Sequence, residues 1–299
     1  MTPAVASSAV PLLRRRLADY FELGKPRVVS LVLVTTVVGY YLGAAGTPAA
    51  LPLFHMLAGT ALAAAGTLAL NQYLERDLDA RMERTRRRPL PDGRLLPGEA
   101  LAVGLGLLAV GLGYLATMVG GLPTLVTAGI AATYLLVYTP LKRVTPLCSL
   151  VGAVPGALPP VAGWAAARGS LGLEAWILFA IMFLWQIPHT LAVSRLYRDD
   201  YARAGIRVLP VLDQDGRRTG THAVTNALAL VPVALLPTLV GLAGALYFLV
   251  ALVLGLGFLW SAVNLARSRS ATDARRLLLA SLIYLPLVLG AMALDKLTF

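Results

Sequence analysis

Nine times along this chain an apolar run reaches the length of a membrane crossing, about 20 residues for a helix rising 1.5 Å per residue. The runs fall near 28–46, 52–72, 99–119, 122–140, 147–167, 172–192, 223–242, 244–265 and 277–295. In hydrocarbon a backbone must satisfy its own N–H and C=O groups, so continuous runs of this kind fold as helices. They do not alternate, which argues against a β-barrel. Only 14% of the 299 residues are charged and 58% are hydrophobic, against about 25% charged in soluble domains. The expected fold is all-α: a polytopic membrane helical bundle of about nine transmembrane helices. Residues 1–27 are expected to form a cytoplasmic N-terminal segment, and residues 28–299 a single nine-helix domain.

The few charges are not scattered. With nine spans, 24 of the 26 Lys and Arg residues fall on one side of the membrane, and only Arg168 and Lys296 fall opposite. An eight-span count breaks this partition. By the positive-inside rule the N-terminus is cytoplasmic and the C-terminus outside. The net charge of +11 is therefore an expression of topology, and nucleic acid is not an expected partner. Cys148 is the only cysteine, so neither a disulfide framework nor a cysteine metal site is available. No apolar core precedes Arg14–Arg16, so the N-terminus is not read as a cleaved secretory signal. Met1 to Leu17 lacks acids and contains Ser and Arg, as transit peptides do. It is short, which favours a bacterial protein.

One stretch stands apart from the apolar background: NQYLERDLDARMERTRRRPLP, Asn71 to Pro91. Asn71, Glu75 and Asp79 are spaced by four. If the helix entering this stretch continues, they share an arc of about 80° and Asp77 points about 120° or more away. Two carboxylates and an amide oxygen on one stripe form the hard oxygen surface that Mg²⁺ prefers when it also keeps waters or phosphates. Arg84, Arg86, Arg87 and Arg88 follow at once, and guanidinium forks match phosphate oxygens. The combination reads as a diphosphate site, with Lys142 and Arg143 of a neighbouring cytoplasmic loop as further clamps. A charge run that only sets topology explains the arginines, but it explains the acids poorly, because Asp and Glu contribute little to orientation.

A second cytoplasmic loop repeats the theme. Asp199 and Asp200 are flanked by Arg195, Arg198, Arg203 and Arg207. The weak repeat suggests two halves facing one cavity, with Asp199 and Asp200 as further candidate metal ligands and Arg198 and Arg203 as further diphosphate contacts. Pro140, Pro146, Pro155, Pro159, Pro160 and Pro188 should kink or break helices. Gly152, Ala153, Gly156, Ala157 and Gly163 read as a packing face. His189, near the cytoplasmic end of the sixth run, is read either as a hydrogen-bonded core residue or as a haem-iron ligand or proton shuttle.

Taken together, these residues resemble the UbiA-type intramembrane prenyltransferases, and within them the branch that acts on haem. The resemblance rests on NQYLERDLDARMERTRRRPL from Asn71, FELGKPRVVSL at 21–31, YTPLKRVTP at 138–146, GALPPVAGW at 156–164, WQIPH at 185–189 and DDYARAGIRVLPV at 199–211. It therefore covers most of Phe21 to Val211. Two departures are visible. Glu75 stands where the family usually has Asp, and the wider family's second pair of acids spaced by four is replaced here by adjacent Asp199 and Asp200.

The resemblance implies farnesyl diphosphate as donor, haem b as acceptor, Mg²⁺ as cofactor, the lipid bilayer as surroundings and a haem A synthase as partner. It places the protein in a bacterial inner membrane with its site on the cytoplasmic face. Asn71, Glu75, Asp79 and Lys142 are the expected catalytic set, Arg84, Arg88, Lys142 and Arg143 the expected diphosphate clamp, and His189 a candidate haem contact. Two rivals stand beside this reading: a prenyltransferase acting on a quinone precursor, and a transporter. A transporter more often carries ionisable groups at the bilayer midplane, and the interiors of these runs hold almost none.

Overall fold

A computed structural model describes residues 6–297, with side chains described from Arg14 onward. The first five residues of the N-terminal segment, and residues 298–299, lie outside that range. The elements are α1 (Ala6–Leu23), α2 (Pro26–Gly43), α3 (Ala50–Asp79), α4 (Pro97–Met118), α5 (Gly121–Ala132), a π-helical turn over Thr133–Tyr138, α6 (Thr139–Leu141), α7 (Cys148–Ala157), α8 (Pro159–Arg168), α9 (Leu173–Leu196), α10 (Arg198–Arg203), α11 (Leu209–Leu212), α12 (Arg217–Leu239), α13 (Ala245–Ser268) and α14 (Ala271–Leu294). Among the described residues nine helical stretches are long and apolar enough to span a membrane. They are α2, α3, α4, α5 through α6, α7 with α8, α9, α12, α13 and α14. No β-strand forms among them, and the protein is a multi-pass helical membrane protein.

The hydropathy reading finds each span but misjudges several ends. The second run closes near residue 72, whereas α3 continues to Asp79 and is 30 residues long, about 45 Å at helical rise. That exceeds a hydrocarbon core of about 30 Å, so its last turns stand in the headgroup region, where polar side chains are cheap. The fifth run is two helices. Pro159 and Pro160 remove two backbone donors, and the span breaks at Leu158 between α7 and α8.

Between transmembrane helices, small residues let backbones approach. A Cβ added at Gly39 of α2 would lie 1.9 Å from the Pro160 carbonyl oxygen of α8, and one at Gly163 would lie 2.1 Å from that of Thr36. The α3–α4 pair uses the same device, where a Cβ at Gly66 would sit 2.4 Å from Leu108 N. Gly152, Gly156 and Gly163 do not form the single packing face that their spacing suggests. Gly152 receives the Tyr138 ring, Gly156 the Gln186 amide and Gly163 the α2 backbone. The other half of the bundle packs α9, α12, α13 and α14 around buried Tyr247, Phe258 and Tyr284.

Helix α1 is tied to the end of the bundle where α3 finishes and α4 begins. Gln72 donates to the Leu23 carbonyl at 2.7 Å, Arg16 pairs with Glu99 at 2.7 Å, and Arg94 pairs with Asp19 and Glu22. The loop after α3 and the segment around α10 also meet: Glu83 N donates to Asp200 at 3.4 Å and Arg84 to the Tyr201 hydroxyl at 2.7 Å. The two acid-and-arginine loops thus join over the same end of the molecule.

Candidate active site

Because α3 stays helical through Asp79, its stripe survives: Asn71, Glu75 and Asp79 are all buried and line one cavity of about 180 Å³. Asp77, two residues from either acid, has 77% of its side chain exposed. Burying two carboxylates is costly unless each is paired, and each is. Lys142 Nζ lies 2.7 Å from Glu75, and Arg88 lies 2.7 Å from Asp79. Lys25 Nζ donates to the Asn71 amide oxygen at 3.0 Å, while the Asn71 amide N–H donates to Thr139 at 3.2 Å.

The four cations reach the cavity from three different segments. Arg88 and Arg84 come from the loop after α3. Arg84 is held by Tyr201 and lies over the Tyr197 and Tyr201 rings at 5.2 and 4.7 Å. Lys142 follows α6 and sits 4.3 Å above the Tyr138 ring. Burial opposes its charge, but Tyr138 and Glu75 outweigh that and hold the ammonium above its usual range. Lys25 comes from the turn between α1 and α2, in a left-handed conformation with φ 50° and ψ 63°. That region is costly for a side-chain-bearing residue, and a residue before proline is ordinarily extended. Strain of this kind persists where surroundings over-determine it, often at functional sites. Burial, and then Arg88, pull the Lys25 ammonium down to about 7, against the attraction of Asp79 and Glu75.

Aromatic groups complete the wall. Tyr134 and Tyr138 belong to the π-helical turn and line the cavity together with Tyr201. A π-turn rotates the residues beyond it relative to a regular helix, and such turns collect at functional sites.

Several expected site residues lie elsewhere. Arg143 is exposed and Arg198 lies outside the cavity lining. Arg203 is 58% exposed and pairs with Asp200. Asp199 is exposed. Asp200 is buried, but it joins the two loops instead of lining the cavity. Burial works to raise its carboxyl, yet the Glu83 backbone N–H and the Arg203 guanidinium outweigh it and hold the carboxyl below its usual value. The structure thus does not bring Asp199, Asp200, Arg143, Arg198 or Arg203 to the cavity lining where metal and diphosphate contacts were expected. Asp200 and Arg203 pair with each other at the junction of the two loops, and Arg143 and Asp199 are exposed. His189 also stays out of the cavity lining; its Nδ1 lies 2.7 Å from Ser281 Oγ of α14. Conversely, Lys25, Tyr134, Tyr138 and Tyr201 line the cavity and were not anticipated. Lys25, Tyr138 and Tyr201 fall inside the blocks FELGKPRVVSL, YTPLKRVTP and DDYARAGIRVLPV that carry the resemblance, while Tyr134 falls in none.

Among the described residues no three His, Cys, Asp or Glu side chains converge as a metal cluster. The donor set at the cavity is the hard one of Asn71, Glu75 and Asp79, which suits a small divalent cation that keeps phosphate or water ligands. Those residues fit Mg²⁺.

Bundle and cavity together mark a class: an intramembrane helical protein with one polar, cation-lined site at a membrane face. The chain belongs to the UbiA prenyltransferase family, which matches residues 32–285. It is 47% identical over 290 residues to the Protoheme IX farnesyltransferase of Solibacter usitatus (strain Ellin6076), covering 93% of this chain and 98% of that relative. In fold it is similar to a UbiA homolog from Aeropyrum pernix K1 in its apo form (TM-score 0.71, 20% identity, 90% of this chain and 97% of that one). It is also similar to a UbiA homolog from Archaeoglobus fulgidus bound to GPP and Mg²⁺ (TM-score 0.66, 16% identity, 92% and 99%).

Proposed function

We propose that this protein transfers the farnesyl group of farnesyl diphosphate to a vinyl group of haem b, with addition of water, giving haem O and diphosphate. The observation that carries the reading is near-full-length identity of 47% to a protohaem IX farnesyltransferase, in a chain whose cavity suits a diphosphate. Lys25, Arg84, Arg88 and Lys142 against Glu75 and Asp79 are four cations and two carboxylates, a formal +2 facing a polyanion.

In this reading Lys25, Arg84, Arg88 and Lys142 hold the diphosphate oxygens while the allylic C–O bond breaks and both of its electrons leave with diphosphate. Stabilising charge on a leaving group needs no base. The Tyr134 and Tyr138 rings offer a negative π-face beside the developing allylic cation. The cation's terminal carbon bonds to the outer vinyl carbon. Water then adds at the carbon next to the porphyrin and releases a proton. Mg²⁺, when held by Asn71, Glu75 and Asp79, supplies additional neutralisation of the diphosphate; the Archaeoglobus homolog solved with GPP and Mg²⁺ supports that choice of ion.

The nine-helix body, residues 28–299, acts as one catalytic domain behind a cytoplasmic segment, residues 1–27. The site opens to the cytoplasmic face of the inner membrane, with the N-terminus on that side and the C-terminus outside. Both hydrophobic substrates arrive through the bilayer, and a haem A synthase is the partner that consumes the product. The test is purified protein with haem b, farnesyl diphosphate and Mg²⁺, with products resolved by mass. A haem gaining one farnesyl group and one hydroxyl is expected. Unmodified haem, alongside farnesylation of an added aromatic quinone precursor, would overturn the acceptor.

A further inference from the structure

We propose that α1 is a membrane-docking helix: Leu17 and Phe21 insert into the headgroup–acyl boundary of the bilayer, and that insertion holds in place the segment carrying Lys25.

Helical periodicity gives the described part of α1 distinct sides. Asp19 and Glu22 fall within about 60° of each other, Leu17 and Phe21 within about 40°, and the two pairs point about 150° apart. Both acids pair with Arg94 of the loop after α3, so their side faces the polar loops. The flank bearing Leu23 is sealed, with Leu23 packed among Ala69, Leu90, Leu95 and Ala100. Leu17 and Phe21 occupy the side turned away from the loops, and they are 59% and 70% exposed.

Depth identifies what covers them. A Cβ added at Gly24 would meet the Ala65 side chain of α3 at 3.4 Å, and Gln72 holds the Leu23 carbonyl. Arg16 pairs with Glu99 in the first turn of α4. In the antiparallel α3–α4 pair, a Cβ at Gly104 would meet Leu70 and one at Gly111 would meet Ala63. That register puts Glu99 level with about residue 75 of α3. The last turns of α1 therefore lie beside α3, short of its end at Asp79. The apolar run of α3 closes near residue 72, so this is where hydrocarbon gives way to headgroups. Leu74 of α3 and Leu96 before α4 are exposed close to the same level, and α2 continues the apolar surface with exposed Val28 and Leu31. Arg14 and Arg15, both exposed, suit lipid phosphates, since long basic side chains reach from an apolar face to the headgroups. The docked helix ends at Leu23, and two residues on Lys25 donates to Asn71 in the cavity at 3.0 Å.

Cys148 is buried and is the only cysteine, so a nitroxide on an introduced cysteine reports a single place. Leu17→Cys, Phe21→Cys and Arg15→Cys are labelled in nanodiscs of phosphatidylethanolamine and phosphatidylglycerol. Spin relaxation is then measured with oxygen, which concentrates in lipid, and with a water-soluble nickel chelate. Labels at positions 17 and 21 should respond to oxygen and be shielded from nickel, and the label at position 15 should do the reverse. Nickel reaching all three positions equally overturns the docking. This measurement needs no substrate. The link to Lys25 rests on the proposed donor and has its own arm. The double variant Leu17→Glu, Phe21→Glu should keep the wild-type melting temperature but bind farnesyl diphosphate about tenfold more weakly, as when a charge-assisted contact is lost. Wild-type affinity in that variant overturns the link. A wild-type protein that binds no farnesyl diphosphate overturns the donor and leaves the docking standing.

Discussion

Glu75 and Asp77 lie two residues apart on one helix, with the same charge and opposite surroundings. Glu75 is buried against Lys142; Asp77 meets water. If the stripe serves the reaction, Glu75→Gln and Asp79→Asn should each lower turnover by at least about tenfold, since each takes a charge from a hard-cation surface. Asp77→Asn should stay close to wild type, and equal losses at all three would sink the stripe. This part of the site was legible because it needs only helical periodicity. Lys25 was not, because its place depends on a left-handed turn before Pro26 that no periodicity announces. It gives a sharper experiment. Lys25→Gly removes a strained side-chain-bearing residue, worth about 1–2 kcal/mol, together with a charge-assisted contact worth about 1.5–3 kcal/mol. The variant should melt close to the wild-type temperature, because the relieved strain largely offsets the lost bond to Asn71, yet turn over about 10- to 100-fold more slowly. Parallel loss of melting temperature and turnover would make Lys25 a structural residue only.

At the scale of elements, hydropathy finds the part of a helix that lies in hydrocarbon and stops there. That is why the run near 52–72 was seen and the last turn of α3, with Glu75 and Asp79, had to be argued from spacing. Likewise α14 begins at Ala271, earlier than the apolar run, because its first turns are polar. The break between α7 and α8 was announced by Pro159 and Pro160. The π-turn was not, since its extra residue changes hydrogen bonding without changing composition. Helix contacts were legible only as a taste for glycine. The structure says which ones matter. Gly39→Ala and Gly163→Ala push a methyl group onto backbone that cannot retreat, and each should destabilise by about 1–3 kcal/mol. Gly106→Ala and Gly129→Ala, with open space around them, should be near neutral. Thermal melting of the four in one detergent separates the two pairs.

For the whole molecule, the partition of 24 cations to one side predicts the orientation. A reporter inserted near Arg87 should read cytoplasmic, and one fused at the C-terminus should read outside. The same side for both would mean an even number of spans between them and end the nine-span count. What the sequence could not reveal at this scale is which loops meet. Asp199 and Asp200 looked like a second metal face because both acid loops lie on one side. In the folded chain, Asp200 spends its charge on Glu83 N and Arg203, binding one loop to the other.

The pairing of Glu75 with Lys142 and of Asp79 with Arg88 has one more consequence. In this pocket both acids already carry their own counter-ions at rest, and Lys25 and Arg84 leave a surplus of positive charge. A polyanion entering it therefore performs an exchange of partners: the cations turn from carboxylate to phosphate, and the carboxylates are released to other positive charge. When the polyanion leaves, the original couples re-form unaided. If diphosphate and Mg²⁺ enter and leave together, the site returns to its starting pairs after each cycle by internal ion exchange.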